Sequence, residues 1–420
     1  MPSAESGSRV LIYSHDTFGL GHLRRCRAIA HDLVARHKNL SVLILSGSPI
    51  IGSFDFRARV DFVRIPGVIK LRNGEYTSLS LHLDIDETVA LRQSIIEHTA
   101  DVFDPDVFIV DKEPLGLRGE VEPTLKLLKA RGTRIVLGVR DVLDEPAVLA
   151  PEWERKRSLP ALEAFYDEIW VYGLPQIHEP LKGLNLSAAM RQRIVYTGYL
   201  PRPLPEHTSV AARPAITNEP FLLVTTGGGG DGEGLIDWVL SAYESGAAIP
   251  HPALLVLGPF MAAERQEEFF ARAEALENVE AITFDSRIEY LLADAVGIVA
   301  MGGYNTFCEI LTLDKRALIV PRTTPRLEQF IRADRARQLG LVEMLVDPLE
   351  GRMHTQGGPR RDPQQMADAL ARLPSQPRPS ETVVPGLLDG FDSVNRLIEP
   401  WLGCRRMQPA RLRAVASHGE

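Results

Sequence analysis

Short apolar runs alternate with helical repeats along almost all of this 420-residue chain. The alternation stops once, at a proline-rich stretch, and then begins again. Few folds accommodate that pattern. A strand covered on both faces reads as a continuous apolar run, and a helix between two such strands brings the chain back parallel, so each half predicts a parallel sheet clothed by helices. In the first half Arg9–Ser14, Val42–Leu45, Val107–Val110, Arg134–Gly138, Glu168–Tyr172 and Ile194–Thr197 read as strands. His22–Arg36, Asp86–Phe103 and Glu120–Ala130 read as helices, and the stretch from Ser46 to Asp84 is less regular. Pro201, Pro203, Pro205, Pro214 and Pro220 mark a linker. Beyond it, strands are expected at Phe221–Thr225, Ala253–Leu257, Val279–Phe284, Val296–Ala300 and Ala317–Val320. Helices are expected at Gly234–Tyr243, Glu264–Leu276, Ile288–Ala293, from Asn305 or Thr306 onward, and at Arg326–Gln338. The fold class is therefore α/β, two Rossmann-like doubly wound domains facing each other across a cleft. The expected division is 1–205, a linker 206–219, a second domain 220–383, a helix within 384–403, and a basic tail 404–420.

Composition narrows the function classes. The chain is 45% hydrophobic and 24% charged, as a globular protein is, and too long for one ordinary core. A net charge of -8 argues against nucleic acid as the main partner. Cys26, Cys308 and Cys404 form no CxxC pair and no metal-type spacing, which suits reduced thiols. The first residues, MPSAESGSR, contain no apolar core for a signal peptide. No apolar run approaches the roughly 20 residues of a membrane helix. A cytoplasmic protein is expected. The tail arginines Arg405, Arg406, Arg411 and Arg413 leave open only a peripheral contact with the inner membrane face.

Four segments carry chemistry. The stretch Val296–Pro321 is a strand, a Gly302-Gly303 turn, a helix and a second strand, with Glu309 one turn into the helix. Free N–H groups and the positive dipole end at such a turn suit a phosphate, and a carboxylate further on can accept two hydrogen bonds from a ribose diol. Taken alone, Thr306-x-x-Glu309 is also an ordinary capping box, and Asn305 an ordinary N-cap. The run Gly227, Gly228, Gly229, Gly230 follows the first strand of the second half, where four glycines let the backbone approach a pyrophosphate. After the first strand of the chain, Gly19 and Gly21 allow a turn that leads into a helix bearing His22 and Arg24. A neutral imidazole there can take a proton near pH 7, and a guanidinium can hold an anion. Asp16 and Asp111 are further candidates on that side. Glu328 and Gln329 open another helix as an adjacent acid and amide, a pair able to hold sugar hydroxyls. Asp84-Ile85-Asp86 has the spacing of a metal-holding pair, but its place before a helix reads as an N-cap. No other cluster has metal-ligand spacing, so neither a metal nor a cofactor is expected.

In motif order the chain resembles the GT-B glycosyltransferases, and specifically glycosyltransferase family 28, which contains the peptidoglycan N-acetylglucosaminyltransferase. GLGHLRR resembles its N-terminal glycine–histidine loop, TGYLPRP (Thr197–Pro203) the segment closing its first domain, and GGGGDG its diphosphate loop. FDSRIEYLLADAVGIVAMGGYNTFCE resembles its long C-terminal signature, ending in the ribose-binding glutamate. The family's proline after the glycine–histidine loop is absent, arginines standing after Leu23, and GLGHLRRCRAIA is also similar to the loop of a UDP-sugar hydrolase of pseudaminic acid synthesis. Tyr304-Asn305 stands where the family has small residues. The resemblance implies an inverting, metal-independent transfer of a hexosyl or N-acetylhexosaminyl group from a UDP-linked donor to an acceptor. The acceptor, the sugar and the oligomeric state stay open. Gly227–Gly230 with Gly303, Asn305 and Thr306 would hold the diphosphate, Glu309 the ribose, and Glu328 and Gln329 the sugar. His22 would be the base with Asp16 in support, and Gly21, Arg24 and Asp111 would face the acceptor. The last helix, SVNRLIEPWL, would cross back onto the first domain. A hydrolase acting on the same donor, or a non-catalytic nucleotide-sugar-binding protein, are the alternatives.

Overall fold

The computed structural model describes residues 7–15, 21–70, 75–204, 213–228, 230–285, 287–349 and 360–403. Asp16, Gly229, residues 206–212 of the expected linker, 351–359 and the tail 404–420 with Cys404 lie outside the described residues.

The first half contains strands β1 (Ser8–Ser14), β2 (Leu40–Ser46), β3 (Val60–Arg64), β4 (Val68–Lys70), β5 (Tyr76–Ser78), β6 (Val107–Asp111), β7 (Arg134–Arg140), β8 (Glu168–Tyr172) and β9 (Ile194–Tyr196). Its helices are α1 (Gly21–Arg36), α2 (Ile85–Phe103), α3 (Glu122–Ala130), α4 (Pro146–Arg155), α5 (Ser158–Phe165) and the short α6 (Ala188–Arg191). Seven strands form a parallel sheet in the order β3-β2-β1-β6-β7-β8-β9, and β4 and β5 make a separate antiparallel hairpin. The second half contains β10 (Leu222–Thr225), β11 (Ala253–Val256), β12 (Val279–Ile282), β13 (Gly297–Ala300), β14 (Ala317–Ile319) and β15 (Glu343–Met344), all parallel, ordered β12-β11-β10-β13-β14-β15. Helices α7 (Glu233–Glu244), α8 (Ala263–Glu274), α9 (Ile288–Asp294), α10 (Tyr304–Thr312), α11 (Glu328–Gln338), α12 (Pro363–Arg372) and α13 (Gly390–Ile398) complete it.

Each sheet reverses direction once. The chain builds outward from β1 through β2 and β3, then returns to place β6 on the other side of β1. In the second sheet the same happens between β10 and β13. Helices leave on opposite faces at such a point and open a crevice beyond the carboxyl ends of the two strands, where ligands of open α/β sheets bind.

Burial explains why these segments adopt these elements. Val10, Leu11, Ile12 and Tyr13 of β1 are fully buried, as a central strand covered on both faces requires. Helix α1 buries Leu23, Cys26, Ile29, Ala30, Leu33 and Val34, one stripe at three- and four-residue spacing. The segments missing from the sequence reading lack such signals. Strand β3 (VDFVR) buries only Val60. Helix α4 carries Pro146 at its start and Pro151 inside, residues that read as breakers. Helix α12 begins where Asp362 accepts a hydrogen bond from Gln364 N, at the end of a polar stretch, 351–362, that reads as an exposed loop. Asp84 caps α2 by accepting from Glu87 N while the Glu87 side chain accepts from Asp84 N, a reciprocal capping box.

One buried apolar cluster runs through both halves, beside one confined to the first half and one confined to the second. Tyr199, beyond β9, meets Phe307 of α10 edge to face at 5.2 Å and stacks on Tyr304 at 6.0 Å. The last described segment lies on the first sheet's side. Tyr199 N donates to Leu387 O, Asn395 of α13 bridges Asp32 of α1 and His37 just after it, and Trp401 stacks on Trp170 at 6.2 Å. Among the described residues no helix is long and apolar enough to cross a membrane.

Candidate active site

The reversal between β1 and β6 puts two candidate side chains side by side. His22 stands at the second position of α1, after β1, and Asp111 is the last residue of β6. Nδ1 of His22 lies 2.5 Å from Oδ2 of Asp111. The other carboxylate oxygen accepts from Arg25 through Nε at 3.0 Å and Nη2 at 2.5 Å. Burial pushes the Asp111 carboxyl up, but Arg25 and His22 outweigh it and hold it well below the usual carboxylate range. Burial pulls the His22 imidazole below its ordinary 6.5 despite Asp111. The pair is thus a carboxylate and a neutral imidazole at pH 7. With the Nδ1 proton donated to Asp111, the lone pair sits on Nε2, free to accept a proton.

The second switch point faces the first. Gly302, at φ +78°, turns the chain after β13, and a Cβ there would come within 2.7 Å of Ile319 Cγ2. Its carbonyl accepts from Arg332 Nη1 at 2.8 Å. Gly303 is the N-cap of α10 and faces open space. Because α10 starts at Tyr304, earlier than expected, no side chain caps it and the Thr306–Glu309 box does not form. Gly227 turns at φ +70° after β10, and Phe260 N donates to Gly228 O, fixing the glycine loop to the neighbouring loop. Gly230 follows in a turn before α7. Asp231 of the same loop pairs with Arg322 at 2.9 Å.

Contacts across the cleft tie the two points together. Asn305 Nδ2 donates to Gly21 O at 3.3 Å, so the N-termini of α1 and α10 abut, and Asn305 Oδ1 accepts from Arg202 Nη2 at 3.1 Å. Arg24 Nη2 reaches Glu309 Oε1 at 2.6 Å and Glu289 Oε1 at 2.7 Å. Burial raises the Glu309 carboxyl pKa, partly offset by Arg24. Glu328 pairs with Arg140 of β7 at 2.5 Å and with Arg322 at 3.2 Å. Burial alone would raise its pKa, yet Arg140, Arg332 and Arg322 bring it down to about 2. Gln329 Oε1 accepts from Arg322 N at 3.1 Å. Arg332 grips Asp141 with two hydrogen bonds of 2.7 and 2.6 Å, both side chains buried, and Tyr199 OH donates to the same carboxylate at 2.7 Å.

The structure therefore gathers His22, Asp111, Gly21, Arg24, Asn305 and Glu309 around the abutting starts of α1 and α10, while Glu328 and Gln329 stand apart with Arg322. Thr306 is half-buried on α10. The sequence reading did not pick out Arg25, Arg140, Asp141, Arg202, Glu289 or Arg332. Asp141 had a signal, since it directly follows the apolar strand β7, much as Asp111 closes β6. Tyr304 is buried between the guanidinium groups of Arg25 and Arg332, 5.5 and 5.8 Å from its ring centre.

No protein-family model matches the sequence, and no curated protein matches it. Solved structures do match in fold. The calicheamicin glycosyltransferase CalG4 superposes with a TM-score of 0.57 at 15% identity, covering 94% of this chain and 98% of that one. LpCGTa in complex with UDP gives 0.60 at 16% identity, covering 94% and 99%. MurG from Acinetobacter baumannii gives 0.52 at 12% identity, covering 94% and 99%. The fold is the GT-B architecture, two Rossmann-like units with a cleft between them.

Proposed function

We propose that this chain is a glycosyltransferase that moves a hexosyl or N-acetylhexosaminyl group from a UDP-linked donor to an acceptor hydroxyl with inversion. The observation that carries the reading is the Asn305–Gly21 contact, which sets the His22–Asp111 pair against the N-terminus of α10. The donor diphosphate would lie on the N–H groups at Gly303 and α10 and on the glycine turn at Gly227, Gly228 and Gly230. The helix dipole and these donors stabilise the leaving diphosphate, the charge that a metal offsets in other transferases. Glu309 would accept the ribose hydroxyls, which requires Arg24 to give up one of its two carboxylates. Glu328 and Gln329 would orient the sugar. His22 Nε2 takes the acceptor proton as the acceptor oxygen bonds to the anomeric carbon. The bond from that carbon to the phosphate oxygen breaks, and its electron pair leaves with UDP. Solved relatives in fold support such a donor: LpCGTa was solved with UDP, VinC with dTDP, and a Phytolacca americana enzyme with UDP-2-fluoro-glucose and pterostilbene.

Glu309→Ala is expected to weaken UDP binding by about tenfold to a hundredfold, the worth of one charge-assisted hydrogen bond, measured by calorimetry. Unchanged affinity would remove Glu309 from the donor site. The pH profile follows from the lowered His22 pKa. The base form persists through neutrality, so kcat/KM is expected to be flat there and to fall only below pH 6.5. An acid limb above neutrality would exclude His22 as the base. Turnover itself separates the readings, since UDP released from a UDP-sugar without any acceptor marks a hydrolase and release only with acceptor a transferase.

A further inference from the structure

The first domain holds a cavity of about 370 Å³ that the donor reading leaves unassigned. That volume lies at the small end of ligand pockets, about 300–1,000 Å³. It is formed by the loop from β6 to α3, by the junction of α4 with α5, and by Tyr76 of the β4–β5 hairpin. His15 also lines it, and the His15 ring centre is 6.0 Å from that of His22. The cavity therefore adjoins the side chain proposed as base.

Its charge is the opposite of the chain's. Four basic side chains, Arg118, Arg155, Lys156 and Arg157, line it against Glu113 and Glu122, in a protein of net charge -8. The two acids are already engaged. Glu113 pairs with Lys156 at 3.0 Å and lies 3.8 Å from Lys112, and Glu122 pairs with Lys126 at 2.8 Å. Among the described residues Arg118 pairs only with the exposed Asp86, a contact of little worth in water. Arg155 and Arg157 form no ion pair among the described residues. Clefts lined by one sign of charge concentrate ligands of the other sign.

The walls are built rather than incidental. Arg118 and Arg157 are held at φ 50° and 56°, the left-handed region that few residues other than glycine adopt and that clusters at functional sites. The β6–α3 loop is anchored from beneath by Glu120, fully buried, which takes two hydrogen bonds of 2.6 Å from Arg92 and one of 2.5 Å from Tyr13 OH. Gly116 is required in that loop, since at its φ of +68° a Cβ would come within 2.5 Å of Val121 Cγ2.

We propose that this cavity seats the acceptor, and that the acceptor is a small hydroxylated anion, a sugar phosphate or a sugar acid. Its charged group is held by Arg118, Arg155 and Arg157, its ring lies near Tyr76, and a hydroxyl reaches His22. The inference rests on the donor reading above. Glucose, glucuronate and glucose 6-phosphate, titrated separately into the UDP-saturated protein and followed by saturation-transfer NMR, test it. The charged sugars are expected to bind at least about tenfold more tightly than glucose, the gain from one charge-assisted hydrogen bond. Which of the two binds better distinguishes carboxylate from phosphate. The double variant Arg155→Ala/Arg157→Gly alters two exposed side chains, and glycine suits the left-handed position. It is expected to lose the preference and keep wild-type UDP affinity. Equal binding of all three sugars, no binding of either anion, or a preference surviving in the double variant would overturn the proposal. Loss of UDP binding in the unmodified protein would instead overturn the donor reading.

Discussion

His22→Ala is expected to lower kcat by about 10²–10⁴-fold, the usual contribution of a positioned general base, while leaving UDP affinity unchanged. The split between the two readouts follows from the geometry. His22 belongs to α1 and points to Asp111, whereas the donor contacts are assigned to β10, β13, α10 and α11. Asp111→Asn is expected to lose a comparable factor for a different reason. An amide can present its nitrogen to Nδ1 and turn the imidazole into the wrong tautomer, removing the lone pair from Nε2. It also removes the charge that Arg25 is matched to, so part of its effect appears as lost stability. A His22→Ala variant with full activity would take the imidazole out of the mechanism.

Asp141→Ala is expected to be the most destabilising single substitution in the cleft, by about 3–5 kcal/mol. It strands the Arg332 guanidinium, whose side chain is 1% exposed, and deprives Tyr199 OH of its acceptor in the same step. Two hydrogen bonds of 2.6 and 2.7 Å now join β7's end to α11, across the line between the two sheets. Urea unfolding reads the effect as a lower midpoint. Replacing both partners, Asp141→Leu with Arg332→Met, is expected to recover most of the loss, because a buried charge without a partner costs more than the absence of the pair. A loss below about 1 kcal/mol in the single variant, the range of an exposed ion pair, would show that the contact is not buried in solution.

What was legible in the sequence follows from the range of the forces involved. The central strands announced themselves because burial on both faces demands unbroken apolar runs such as Val10–Tyr13 and Leu222–Val224. The turn glycines were legible because positive φ excludes side chains at Gly227 and Gly302. Partnerships were not. The pairing of His22 with Asp111 depends on sheet order placing β6 beside β1, a consequence of topology that no local pattern encodes. Arg24 and Glu309 are 285 residues apart in the chain. The Thr306–Glu309 capping box, the local alternative to a ligand role for these two residues, does not form. The turn at Gly302 lets α10 begin at Tyr304, which buries its ring between Arg25 and Arg332 and leaves Glu309 beyond the helix's first turn. Helices α4 and α5 escaped because Pro146, Pro151 and Pro160 mask a pattern whose buried residues, Leu149, Trp153, Ala161 and Leu162, are held by tertiary packing.

Calorimetric titration with UDP in magnesium-free buffer containing a chelator tests the account most directly. Stoichiometric binding under those conditions is the expected result, since backbone N–H groups at Gly303 and the glycine turn, with Glu309 on the ribose, need no divalent ion to hold it. Absence of binding to UDP, and equally to TDP and GDP, with or without magnesium, would contradict the assignment of this cleft to a nucleotide-sugar donor.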